Sequence, residues 1–125
     1  MPRFDRDPAA SGPLVQGFAA GGFSIDGALY RGALLTPAAA FEWAPPPLAE
    51  LDPDDLAPAL ALEPPPEFLL LGTGASFAFA PPALRRALEQ RGIGIEAMDS
   101  RAAARTWGVL RAEQRWIAAA LMPVD

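Results

Sequence analysis

A layered α/β domain with a mixed β-sheet is what this sequence predicts, on three observations. The apolar run Phe68-Leu69-Leu70-Leu71 enters Gly72-Thr73-Gly74 and is walled off upstream by Pro64-Pro65-Pro66. A continuous run of this length suits a strand covered on both faces, as in sheets flanked by helices. After it, strand-period and helix-period segments alternate as β-α-β-α-β. Before it, from Leu14 to Trp43, short runs broken by glycines read as a small antiparallel meander. The chain has 125 residues, 51% of them hydrophobic, which fits one domain with a real core.

Taken in order, residues 1–12 are polar, carry Pro2 and Pro8 and lack periodicity, so they read as a disordered arm before a single domain over 13–125. Leu14–Phe18 is a strand candidate ended by Gly21-Gly22. Phe23-Ser24-Ile25 alternates, and Asp26-Gly27 is a hairpin signal before Ala28–Arg31. Gly32 marks a bulge or bend ahead of Ala33-Leu34-Leu35. Ala39–Trp43 forms a further short strand, and Pro45-Pro46-Pro47 is a stiff connection. Asp52 caps a helix that has Pro53 at its first position and Asp54 and Asp55 at the positive end of the dipole, with Pro58 shortening or distorting it. After the Leu69–Leu71 strand, Pro81-Pro82 starts a helix with Leu84, Ala87 and Leu88 on one face, ended by Gly92. Ile93–Met98 is a strand, so 68–98 forms a βαβ unit. Asp99 or Ser100 caps a third helix bearing Ala103, Trp107 and Leu110, and Trp116–Leu121 is the last strand.

The inventory excludes most catalytic chemistry. The chain has no Cys and no His, and all ten of its basic residues are Arg. No disulfide, thiolate site, Ser-His-Asp triad or Lys Schiff base can be built. Metals that prefer nitrogen or sulfur lose their ligands, no EF-hand spacing is present, and no cofactor motif stands. Net charge is −5, divided as −7 over residues 1–67 and +2 over 68–125. An acidic chain with no basic stripe is a poor nucleic-acid binder. No apolar run approaches the roughly 18 residues of a membrane span, and Met1–Pro8 has no secretory apolar core. These features read as cytoplasmic.

Two motifs at the Gly-Thr-Gly turn fail on spacing. A dinucleotide fingerprint needs Gly where Phe77 stands, and the next helix starts too late to face a pyrophosphate. Gly74-Ala75-Ser76-Phe77-Ala78 lacks the closing Gly of a nucleophile elbow and has no His to activate Ser76. A third grouping stands: Gly72, Thr73 and Gly74 lie at one strand end, and Asp99, Ser100, Arg105 and Thr106 follow the next. Arg101 and Arg105 occupy the first turns of a helix, where cations oppose the dipole, by about 0.3–1 kcal/mol each. The bland reading is an ion pair with Asp99. The sharper one is an anion site where the Gly72–Gly74 amides, the helix N-terminus and an Arg fork converge. Trp43, Trp107, Trp116 and the Phe77/Phe79 pair are most simply core or core-edge residues; a partly exposed cluster would instead mark a protein-binding patch.

Ile25-Asp26-Gly27, Gly32-Ala33-Leu34-Leu35, Leu69–Gly74, Arg91–Glu96, Met98-Asp99-Ser100, Ala103–Thr106 and Ala118–Leu121 together carry a resemblance. In order and spacing this set resembles a small domain-of-unknown-function family. That family includes assembly factor 3 of mitochondrial respiratory complex I and an adipogenesis-associated protein. The resemblance runs from about Leu14 to Val124, and it implies a three-layer single domain with a central mixed sheet. It implies no catalysis. It points to a non-enzymatic soluble interaction module with protein partners, an assembly or accessory factor for a respiratory NADH dehydrogenase complex. The alternative is a small anionic-ligand binder or enzyme using the Gly72-Thr73-Gly74/Asp99/Arg105 cleft. Where the family often has Cys-Arg-Thr-Tyr-Asn, this chain has Ala104-Arg105-Thr106-Trp107-Gly108, so a thiol role is absent.

Overall fold

The leucines of the strand Phe68–Gly72 decide the layering, because each of Leu69, Leu70 and Leu71 is buried, but on alternating sides. In the computed structural model, which describes residues 12–125, Leu69 and Leu71 belong to one apolar cluster and Leu70 to the other. The expected arm over 1–12 lies, apart from Gly12, outside the described residues.

The strands are β1 (Val15–Ala19), β2 (Gly22–Ile25), β3 (Ala28–Tyr30), β4 (Ala33–Leu35), β5 (Ala40–Glu42), β6 (Phe68–Gly72), β7 (Gly94–Met98) and β8 (Ala118–Leu121). The helices are α1 (Ala57–Leu60), α2 (Pro82–Glu89) and α3 (Ser100–Ala112). The first three strands form an antiparallel sheet in the order β1-β2-β3, and the rest a mixed sheet in the order β5-β4-β8-β6-β7. Within the latter, β6 runs parallel to β7 and β8, whereas β4 is antiparallel to β5 and β8.

The hairpin joins Ile25 to Ala28 through Asp26 and Gly27, whose φ angles of 50° and 85° suit a tight turn with both central residues left-handed. The antiparallel stretch does not remain one meander. It divides at Gly32, and β4 and β5 leave to extend the central sheet. A Cβ on Gly32 would lie 2.5 Å from the Trp43 carbonyl oxygen, so only glycine lets the strands converge there. The helix expected from Asp52 forms in two pieces, a 3-10 turn over Pro53–Leu56 and then α1. Asp52 and Asp55 close a capping box. Pro58 falls in the first turn of α1, where its missing N–H is tolerated.

Helix α2 packs Leu84 and Leu88 on one face of the sheet with Leu51, Leu56, Ala59, Ile93 and Ile95. Helix α3 packs Ala103, Ala104 and Trp107 on the other face, where Phe23 and Ile25 bring in the three-stranded sheet. The result is three layers around one mixed sheet. Gly92, at φ 77°, ends α2: Ile93 N–H reaches Leu88 O and Gly92 N–H reaches Glu89 O. At the end of α3 the same bonds form with Gln114 in the left-handed position. Arg115 then pairs with Glu67 at 3.0 Å, clamping the start of β6 beside the chain entering β8. That hydrogen bond holds the Glu67 carboxyl below the usual glutamate range.

Candidate functional site

The crossover from β6 to β7 carries α2 on one face, and that from β7 to β8 carries α3 on the other. The chain therefore diverges beyond the carboxyl ends of β6 and β7, and in open α/β sheets such a divergence is where ligands bind. Here that position is closed by hydrogen bonds. Thr73 N–H donates to Met98 O at 2.9 Å, and Ser100 N–H donates to Gly74 O at 2.8 Å. The Ser100 hydroxyl, fully buried, accepts from Gly74 N–H at 2.8 Å and donates to Met122 O at 2.7 Å.

Gly72 is required for this closeness: a Cβ there would come within 2.7 Å of Ser100 Oγ and 2.8 Å of Ser100 Cα. Gly74, at φ 103°, occupies backbone space that a side chain rarely adopts. The glycine pair thus admits a neighbouring helix. Asp99 caps α3, its Oδ1 accepting from Ala102 N–H at 2.9 Å.

Of the seven residues expected to converge, Gly72, Thr73, Gly74 and Ser100 form this knot, in which the Thr73, Gly74 and Ser100 amides already have protein acceptors, and Asp99 stands next to it as the cap of α3. The other two lie elsewhere. Thr106 donates to Met98 Sδ at 3.5 Å. Arg105 is exposed and lines a hollow with Val15, Gln16, Gly17, Phe18 and Ala104. The Asp99–Arg ion pair does not form; among the described residues the ion pairs are Arg31–Asp125 and Arg115–Glu67.

What this strand end presents outward is the loop between β6 and α2. The Thr73 hydroxyl donates to Ser76 O at 2.8 Å and accepts from Ala78 N–H at 3.0 Å, so one side chain fixes the loop's curve. Beyond it Phe77 is 53% exposed and Phe79 81% exposed. Their rings meet edge to face, with centroids 4.8 Å apart. Phe79 also borders an apolar hollow of about 370 Å³ with Leu48, Ala49, Ala80, Pro81 and Pro82. No charged residue occurs from Gly72 to Leu84. The simplest reading of this pair, core or core edge, is overturned: the turn held by Thr73 lifts both rings off the sheet.

Exposed aromatic patches are a common mark of interaction sites. The three tryptophans do divide as core and core edge. Trp107 is fully buried and donates Nε1–H to Pro13 O at 2.7 Å, while Trp43 and Trp116 are half-buried and donate to Asp55 O and Pro64 O. Arg111 escaped the reading of the sequence. Its guanidinium is buried in α3, with Nη1–H donating to Arg115 O at 2.6 Å and Nε and Nη2 without a protein acceptor. Burial pushes its pKa below the ordinary arginine value. Its helical position, four residues after Trp107 on the buried stripe, is the signal that could have found it.

A family model described as "Protein of unknown function (DUF498/DUF598)" matches residues 15–122. An uncharacterised protein of Rhodobacter capsulatus is 40% identical over 121 residues, covering 95% of this chain and 92% of that protein. The NADH dehydrogenase (ubiquinone) 1 alpha subcomplex assembly factor 3 of Danio rerio is 31% identical over 116 residues, covering 92% of this chain and 67% of that protein. Among solved structures, a Bordetella parapertussis protein superposes with a TM-score of 0.80 at 32% identity, over 90% of this chain and 96% of that one. A Bordetella pertussis protein described as a Mth938-like domain superposes with a TM-score of 0.76 at 26% identity, over 98% and 92% of the two chains.

Proposed function

The chain belongs to the DUF498/DUF598 family, and on that premise we propose that it is a non-enzymatic interaction module assisting assembly of a respiratory NADH dehydrogenase complex. The observation that carries the proposal is the Phe77–Phe79 loop, an uncharged and exposed aromatic patch braced by Thr73. The respiratory assignment comes from the relative named for that assembly. Among the described residues no helix is long and apolar enough to cross a membrane; the module is proposed to act from the aqueous side, in the cytoplasm. Exposing a phenylalanine that burial would stabilise by roughly 2 kcal/mol makes sense where a partner later covers it. The proposal does not extend to a ligand at the strand-end knot, whose amides are engaged.

Deleting the gene tests this directly. The assembled NADH dehydrogenase complex on native gels is expected to fall several-fold. The wild-type gene should restore it, and Phe77→Ser/Phe79→Ser should not. Because both side chains are exposed, that variant should keep its stability within roughly 1 kcal/mol. An unchanged level of the complex after deletion would overturn the respiratory assignment.

A further inference from the structure

A second surface lies apart from the aromatic loop, on the seam between β1 and the exposed side of α3. Phe18 stands there, 40% exposed, as the divider between two hollows. One, of about 230 Å³, is bounded by Arg101 together with Ala19–Gly22 and Val124. The other, of about 200 Å³, is bounded by Arg105 together with Val15–Gly17 and Ala104. Both arginines are exposed, and among the described residues neither has a carboxylate within ion-pair distance. Arg101 lies over the Phe18 ring, 5.9 Å from its centroid. Asp125 lies beside Gly21 at the first hollow. Its Oδ2 is already held by Arg31 at 2.6 Å. Asp99, at the start of α3, is engaged in capping.

We infer that this seam docks an extended acidic protein segment, with carboxylates at alternate positions seated on Arg101 and Arg105. Two features select that occupant. The arginines are four residues apart on a helix, a separation of about 6 Å along its axis. Alternate residues of an extended chain, which share one face, repeat at roughly 6.7 Å. The second feature is charge. Two cations that have no ion-pair partner among the described residues and that oppose their own helix dipole attract an anion, while the net charge of −5 repels long polyanions such as nucleic acid or an anionic membrane. A short segment lying within a Debye length of about 8 Å responds mainly to the local pair. Phe18 between the hollows supplies an apolar ridge for the segment's backbone.

The test is an NMR titration at low salt with a short peptide alternating glutamate and threonine. The expected result is saturable shifts confined to β1 and the exposed side of α3. Binding should weaken about fivefold in Arg101→Glu or Arg105→Glu, fall below detection in the double variant, and remain in Phe77→Ser/Phe79→Ser. Both arginines are exposed and oppose the helix dipole, so the variants should melt no lower than wild type does. The inference is overturned by any of four results: no shifts with the peptide; shifts unchanged by the double variant; the same shifts with a glutamine-threonine peptide; or equal displacement by inorganic phosphate or phosphatidylserine vesicles. The last of these would mean a bare anion site or a membrane surface.

Discussion

Ser100→Ala is expected to destabilise the protein by about 2–4 kcal/mol, although it removes one oxygen atom. The hydroxyl satisfies Gly74 N–H and Met122 O at once, in a fully buried position. Without it both backbone groups are orphaned, and each buried orphan costs about 1–3 kcal/mol. Gly72→Ala should act on the same contact by collision. The added Cβ would lie 2.8 Å from the Ser100 Cα, so backbone must move, at about 1–3 kcal/mol. Urea unfolding followed by tryptophan fluorescence measures both changes as shifts in midpoint at constant slope. A loss below about 0.5 kcal/mol for Ser100→Ala, the scale of an ordinary surface change, would mean that the strand end is open to solvent.

Trp107→Ala should cost more, about 3–5 kcal/mol, the range for deleting a buried large aromatic. The side chain is fully buried where α3 meets Phe23 and Ile25, so it joins the helix to both sheets. Trp107→Phe separates packing from hydrogen bonding. It keeps most of the ring and loses the bond to Pro13 O, leaving a buried carbonyl and a smaller side chain at about 1–3 kcal/mol. Equal losses in the two variants would show that the Pro13 contact, and not the packing, holds this corner.

The fold was legible where a local rule and the tertiary answer agree. Phe68–Leu71 is apolar throughout because β6 is covered on both faces. Asp26-Gly27, Asp52-Pro53 and Gly92 are local devices whose geometry needs no distant partner. The division at Gly32 was not legible, because antiparallel strands alternate in the same way whichever sheet they join. That choice depends on pairing between β4 and β8, some eighty residues away. At the strand end the glycines marked close approach correctly, but their sequence does not say what approaches. Ser100 does, and this turns a possible cradle into a knot. The exposure of Phe77 and Phe79 was hidden for a related reason: aromatics in an apolar window look like core until the Thr73 bonds set the loop's direction. Arg105 was grouped with Gly72–Gly74 by position in the chain, whereas the helical turn carries it round to Phe18.

In the proposed division of labour at the end of β6, Gly72, Gly74 and Ser100 hold the fold together and the Phe77–Phe79 loop is the surface offered to the partner. Placing a photoreactive phenylalanine analogue at Phe79 in cells, with Val109 on α3 as an exposed control position away from the loop, tests that division directly. The expected result is a discrete crosslink from position 79 to a subunit or assembly intermediate of the NADH dehydrogenase complex, absent from position 109. No crosslink at 79, or the same adducts from both positions, would contradict it.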